Sequence, residues 1–485
     1  MRRTDTDAMN TETLTESLAP TPAQRAFATL MVLMALAALD QTIVATALPV
    51  IARDLHDAAR LPWVFSAYLI AATIAVPLYG TFADRQGAKP VLLVAVALFL
   101  TGSLCCGLSS DMDQLIVARA LQGAGGGGFL TLAMTAVARL FPPQSRARLQ
   151  GLLGATYGLS TMAGPVAGGM MVEYFSWRWA FFINVPISLL AMWVLAVNHP
   201  RQAPGHKGPI DYAGALLLSG ALVCVMLGTR RSAPADWPTA ALAATAVLLA
   251  ASFLWVQARA PSPLIPLNLF ADRAFAAAAA LSAGSGVMLF AVVVFMPLYF
   301  QTARGLSPGD SGWHLMPLMA GITIASTGGG RMMSATGQVR SVAVAACATA
   351  AASLVALGFA VYEPGISVGA VALCLVPVGI GLGALFPIVT VVAQVSAPMQ
   401  LIGVATASPV LFRSVAGAIG VSALGALLAA AMAGELGIRI TDPPGLLGFG
   451  AALGLVFWVA AGVSLLAGLA ALALPARLAR KGGPG

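Results

Sequence analysis

The chain predicts an all-α membrane protein with 14 transmembrane helices. Three observations carry that reading. Of 485 residues, 59% are hydrophobic and only 9% are charged, whereas soluble domains carry about 25% charged residues. Fourteen apolar runs approach the roughly 20 residues that a helix needs to span a bilayer. No run alternates with period two, which argues against a strand barrel. The 51 glycines and 30 prolines fit the same class, since both are commoner in membrane helices than in soluble ones.

Residues 1–26 are polar, rich in Thr, Asp and Glu, and lack a signal-peptide core. They read as a disordered cytoplasmic tail. Six runs follow, at 27–49, 62–82, 91–109, 112–137, 149–172 and 179–197, and make an N-terminal six-helix bundle over 27–197. Residues 198–260 read as a linker with two extra transmembrane helices, at 212–229 and 239–257. Six further runs, at 274–300, 312–330, 341–361, 367–391, 403–432 and 447–474, make a C-terminal six-helix bundle over 261–474. Residues 475–485 form a second cytoplasmic tail. The chain also repeats itself. GTFADRQGAKP (80–90) follows the second run and GRMMSATGQVR (330–340) the tenth. In each, two glycines stand seven apart, Gly80 with Gly87 and Gly330 with Gly337, while Asp84 and Arg85 have become Ser334 and Ala335. A duplicated six-span unit with an inserted helix pair explains both the count and the echo. A chance match of two glycines explains the echo alone.

Charge sets orientation. Loops on the N-terminal side hold 17 Lys and Arg, the opposite loops hold 7, and Arg119 and Arg413 fall within spans. Basic residues gather on the cytoplasmic side, so both termini are expected there. The Arg230–Arg231 pair runs against this rule. The net charge of +8 is spread over short loops, with no basic stripe carrying interleaved aromatics, so nucleic-acid binding is not expected. Cys105, Cys106, Cys224, Cys347 and Cys374 lie in apolar runs without metal-ligand spacing. They read as packing residues, and no metal or cofactor is expected.

One carboxylate of the 18 lies in mid-span: Asp40, within LDQTIVATALP (39–49). A charge at that depth costs at least roughly 2.5–3.5 kcal/mol on insertion scales. Arg119 lies in LIVARALQGAGGGG (115–128). Counted inward from the outer surface, both residues sit roughly 12–14 Å deep at about 1.5 Å per residue. They can meet if the first and fourth spans are neighbours. Burial disfavours the charged carboxylate and a guanidinium favours it. A substrate or a conformational change that loosens the pair would let Asp40 take a proton, which is the chemistry of a proton-coupled carrier. The alternative is a static ion pair that only fixes two helices.

Other motifs have two readings each. Gly123 and Gly125 to Gly128 resemble a phosphate cradle but lack its lysine and preceding strand; close helix packing is the better reading. GATYGLSTMAGPVAGG (154–169) places Gly154, Gly158, Gly164, Gly168 and Gly169 at spacings near four, with Pro165 among them. It suits a hinge or seal between two halves, or plain packing. Asp84, Arg85 and Lys89 lie in a tight turn set by Gly87. A carboxylate there can bond the N-terminus of another helix, or the turn is simply solvated. Arg413 has no carboxylate nearby in sequence. It lines a cavity, pairs with an acid from another helix, or binds an anionic group.

Taken together these stretches resemble the major facilitator superfamily, and within it the fourteen-span drug:proton antiporters of EmrB/QacA type. LDQTIVATALP is similar to the first-span signature. GTFADRQGAKP matches the loop motif, and LIVARALQGAGGG the fourth-span motif with Arg119, Gln122 and Gly123. GATYGLSTMAGPVAGG is similar to the antiporter motif. SWRWAFFINVP (176–186), PLIPLNLF (263–270) and PLYFQTARGLSPGDSG (297–312) also resemble this group. The resemblance implies two six-helix bundles around a cavity that opens alternately to each side, and export of small amphipathic compounds in exchange for protons across an inner membrane. Asp40 and Arg119 would be the coupling pair. Asp84 and Arg85 would close the cytoplasmic side against the thirteenth span. Gly164 and Pro165 would lie where the halves meet. Two departures stand out. The ninth to fourteenth spans carry no acid, so a neutral, zwitterionic or singly charged lipophile is expected rather than a dication. The second loop motif has lost its charges, so one charge-based gate is visible.

Two other functions compete with the multidrug exporter. One is a dedicated exporter of a single metabolite or antibiotic; the other is a non-transporting sensor or scaffold. No catalytic constellation points to an enzyme. The expected partners are a small lipophilic substrate, protons and membrane lipids. An adaptor and an outer-membrane channel have no visible site.

Overall fold

The computed structural model describes residues 22–56, 61–198, 211–228, 237–260, 263, 265–363, 365–432 and 446–477. The N-terminal tail, most of the C-terminal tail and the Arg230–Arg231 pair lie outside the described residues. A helix coincides with each of the fourteen apolar runs. In order they are α1 (Pro22–Asp54), α2 (Leu61–Gln86), α3 (Ala88–Leu108), α4 (Met112–Leu140), α5 (Pro143–Tyr174), α6 (Asn184–Asn198), α7 (Tyr212–Gly228), α8 (Trp237–Gln257), α9 (Arg273–Thr302), α10 (Met316–Thr336), α11 (Arg340–Tyr362), α12 (Leu375–Ser396), α13 (Ile402–Met432) and α14 (Leu446–Ala471). Among the described residues, 10 helical stretches are long and apolar enough to cross a membrane. The others are α4, α5, α7 and α10. The 17 residues of α7 are few. The other three are rich in glycine, which adds no apolar side chain.

Two helices begin with a break. A single turn, Trp179–Phe182, precedes α6, and Val368–Leu373 precedes α12. Pro186 and Pro377 have no amide hydrogen for the carbonyl four residues back, so the ladder is interrupted at Ile183 and Cys374.

The helices pack as two groups, α1–α6 and α9–α14. Each has its own apolar core, one around Phe99, Phe129 and Tyr79, the other around Phe275, Phe300 and Phe457. The groups join along two seams, α2 with α13 and α5 with α10. The α7–α8 pair packs on itself and, through α7, against α2 and α13. Its outer faces stay exposed, with Tyr212, Leu216 and Trp237 all uncovered.

Inside the first group the helices touch backbone to backbone. A Cβ at Gly123 would collide with the Tyr68 carbonyl, and one at Gly127 with Ala72, both on α2. The run of glycines therefore serves close packing, where neither obstacle is a side chain that can swing aside. Overfilling a packed site costs about 1–3 kcal/mol when side chains give way, and more against fixed backbone. Gly123→Val is expected to lose the monodisperse peak on size-exclusion chromatography in detergent. Elution like the wild type would show that this crossing is looser than described.

Candidate transport site

Asp40 sits in mid-α1 with none of its surface accessible, and so does Arg119 on α4. The Arg119 Nη1 donates to Asp40 Oδ2 at 2.8 Å and to Gln122 Oε1 at 2.6 Å. Gln122 Nε2 donates to Asp40 Oδ1 at 2.7 Å and to Ser103 Oγ at 2.8 Å. Asn184 Nδ2 donates to the same Asp40 oxygen at 2.8 Å. Arg119 Nε reaches the Val64 carbonyl at 3.2 Å, and its guanidinium lies 4.3 Å from the Tyr68 ring centre. The carboxylate of α1 thus bonds directly to α4 and α6, and through Arg119 and Gln122 the network reaches α2 and α3. Buried charges persist only when paired and hydrogen-bonded, and Asp40 meets that condition with three donors. Among the described residues the enclosed Arg119 Nη2 has no hydrogen-bond acceptor.

Local sequence explains the geometry. Arg119 and Gln122 stand three apart, on one face of α4. Gly102 of α3 leaves room for the Gln122 backbone, which brings Ser103 within reach. The break before α6 places Asn184 at a helix start, where its amide can turn inward. The sequence pointed to the Asp40–Arg119 pair and to Gln122. It missed Asn184 and Ser103. Asn184 was visible as a lone amide between two apolar stretches, the fifth residue of AFFINVP.

A second carboxylate organises one end of the molecule, here termed the near end. Asp84, in the last turn of α2, accepts from the Gly403 amide at 2.6 Å and the Val404 amide at 2.9 Å. These are the first orphan donors of α13, which carries partial positive charge there. Arg139, at the end of α4, donates to Asp84 Oδ1 at 2.7 Å. Above this clasp, α2 and α13 cross glycine to glycine: a Cβ on Gly403 would strike the Gly80 carbonyl. The other seam repeats the plan. A Cβ on Gly330 would strike the Ala147 carbonyl, and the Arg148 amide donates to Ser334 Oγ at 3.1 Å. Gly87 and Gly337 both hold positive φ, 84° and 69°, at the turns that follow, a region closed to most side chains. Each glycine of the two echoing segments therefore has the same task as its counterpart. Ser334 fills the place of Asp84 with a neutral hydroxyl. The two seams are alike in geometry and unlike in charge.

Other residues singled out in the sequence scatter. Arg85 follows Asp84 in the last turn of α2. Lys89 serves elsewhere, donating to the Ala196 carbonyl at the end of α6 at 2.7 Å. Gly154 and Gly158 face Ser326 and Thr323 of α10, across the seam. Gly164 does not lie there: it packs against Thr42 of α1, within its own half. This corrects the expected place of Gly164. The reason is direction, since ten residues separate Gly154 from Gly164, an angle that turns the later glycine toward α1. Gly168 is buried on the same helix, which also carries Pro165 and Gly169. At the far end, Asp54 accepts from the Trp177 indole at 2.8 Å and from Arg178 at 2.9 Å. Those two donors hold its carboxyl below the ordinary carboxylate range.

Residues 30–421 match the Major Facilitator Superfamily model. The chain belongs to the major facilitator superfamily. By family it is a multi-pass membrane protein, and the members of this superfamily are transporters, not enzymes. This superfamily member is 32% identical to the multidrug transporter protein MdtP of Bacillus subtilis (strain 168) over 405 residues, 82% of this chain and 74% of that one. It is 33% identical to the tetracenomycin C resistance and export protein of Streptomyces glaucescens, over 87% of this chain and 80% of that one. An uncharacterized MFS-type transporter of Mycobacterium tuberculosis (strain ATCC 25618 / H37Rv) is 33% identical over 88% of this chain, which spans only 62% of that relative. The fold matches the human organic anion transporter MFSD10 with a TM-score of 0.64 at 15% identity, covering 93% of this chain and 100% of that one. It matches the proton:xylose symporter XylE with a TM-score of 0.63 at 14% identity, covering 92% and 94%. These two likenesses speak to fold alone.

Proposed function

We propose that the chain is a proton-coupled exporter of small amphipathic compounds, a fourteen-span drug:proton antiporter of EmrB/QacA type. Both termini face the cytoplasm of an inner membrane, and the near end is the cytoplasmic end. Two six-helix halves, 27–197 and 261–474, rock about a central cavity, and the pair within 198–260 is an accessory. One observation carries the reading: a mid-membrane carboxylate, fully enclosed, whose charge is held by three side chains of two other helices, so that a single proton can loosen all three. Protonation of Asp40 removes its charge. The grip of Arg119, Gln122 and Asn184 weakens, and α1 is freed to move against α4 and α6. Loss of the proton restores the clasp. The near-end seal through Asp84 is the closed position of the same cycle.

The test is accumulation of lipophilic dyes in an efflux-deficient host that makes the full chain. Accumulation should fall when the chain is present, and an uncoupler should cancel that fall. Efflux that survives the uncoupler would remove proton coupling. A second reading is a dedicated exporter of one compound, supported by the likeness to a tetracenomycin exporter. A panel of unrelated dyes separates the two, because a dedicated carrier moves a single chemotype.

A further inference from the structure

Arg413 is left over from the mechanism described. It lies in the middle of α13, where an unpaired charge is costly. Its backbone is packed against Gly286 of α9. Its guanidinium lies 4.7 Å from the ring centre of Phe386 on α12. Among the described residues no carboxylate pairs with it. Asp40, the mid-span carboxylate, is spent on Arg119. Tyr157 of α5, in the opposite half, is within electrostatic reach of Arg413, and also of Tyr68, which stacks on Arg119. Arg413 is only half-buried and Tyr157 is 38% exposed, although protein atoms surround both on all sides. Enclosed residues that keep accessible surface are the wall of an internal cavity. The wall here comes from both halves, α5 on one side and α12–α13 on the other.

We propose that this is the substrate subsite, and that it takes the anionic group of a flat aromatic compound, a carboxylate or phenolate. Arg413 supplies a guanidinium fork matched to such oxygens. Phe386 holds the fork in place by cation–π contact and offers an apolar face. The Tyr157 hydroxyl supplies a neutral donor from the other half. The aromatic body of the ligand lies between the two rings. An anion bridging Arg413 and Tyr157 would contact both halves at once. This inference deepens the exporter reading and rests on it for the word substrate, while the subsite stands or falls on binding alone.

The experiment is therefore binding, without a gradient, to the purified full chain in lipid nanodiscs. Three probes share one ring system: 1-naphthoate, 1-naphthamide and 1-naphthylmethylammonium. Naphthoate is expected to bind about tenfold or more tighter than the other two, as loss of a charge-assisted hydrogen bond implies. Arg413→Gln should remove that preference and Arg413→Lys should keep part of it. If Arg413→Gln does not fold, Tyr157→Phe takes its place, since it deletes one hydroxyl. It should weaken naphthoate several-fold and leave naphthamide unchanged. Equal binding of the three probes to the wild type overturns the proposal, as does unchanged naphthoate affinity in Arg413→Gln. Loss of proton-driven efflux in cells with intact naphthoate preference would count against the coupling and not the subsite.

Discussion

Asp40→Asn is expected to abolish efflux driven by a proton gradient while leaving the protein inserted in the membrane. Asparagine keeps the shape of the side chain and one acceptor oxygen, so Arg119 retains a hydrogen bond. It cannot release or take up a proton near neutral pH. The cost falls on Arg119, which loses its counter-charge; breaking a buried pair costs roughly 3–5 kcal/mol in soluble proteins. Thermal stability of the variant should therefore drop. The double variant Asp40→Asn, Arg119→Gln removes both charges and should recover part of that stability without recovering coupling. The measurement is substrate uptake into inverted vesicles with an imposed pH gradient, alongside a thermal melt in detergent. Uptake by Asp40→Asn at the wild-type rate would end the coupling role of Asp40.

Asp84→Ala is expected to have the second largest effect, by opening the near end. It deletes two hydrogen bonds to the start of α13, at 2.6 and 2.9 Å, and strands Arg139. Hydrogen bonds to charged groups contribute about 1.5–3 kcal/mol each, so a net loss near 3 kcal/mol shifts the closed–open balance about a hundredfold. Ser334→Ala deletes one neutral hydrogen bond at 3.1 Å, for which a shift of about tenfold or less is expected. A reporter cysteine at Ser408, which is buried beside the α2–α13 crossing, reads the balance. With the native cysteines replaced, its reaction with an impermeant maleimide in inverted vesicles should rise strongly for Asp84→Ala and little for Ser334→Ala. The opposite order would mean that the charged clasp is not what holds this end shut.

The helices were legible because each is a run of apolar residues bounded by charge or proline, and lipid leaves the backbone no other choice. The short breaks before α6 and α12 were not, although Pro186 and Pro377 mark both. In the site, Asp40 and Arg119 declared themselves by being costly where they stand. Ser103 is cheap anywhere, so nothing about it stood out until α3 and α4 were seen to cross at Gly102. Gly154 packs against α10 across the seam, a contact that fits both a seal between halves and plain packing. The place of Gly164 did not follow from spacing, because a helix as long as α5 meets different neighbours along its length. Ser334 shows the limit most plainly: as a letter it had lost the charge of Asp84, yet as a position it keeps the same contact with the opposite half.

The α7–α8 pair leans on one seam and leaves the other bare. A hydrophobic molecule dissolved in a bilayer leaflet meets a wall of accessory helix beside α2 and α13. Beside α5 and α10 it meets the two halves themselves, joined by glycine, serine and threonine. Among the described residues the two seams therefore turn unlike faces to the lipid, one walled by accessory helix and the other lined by small residues.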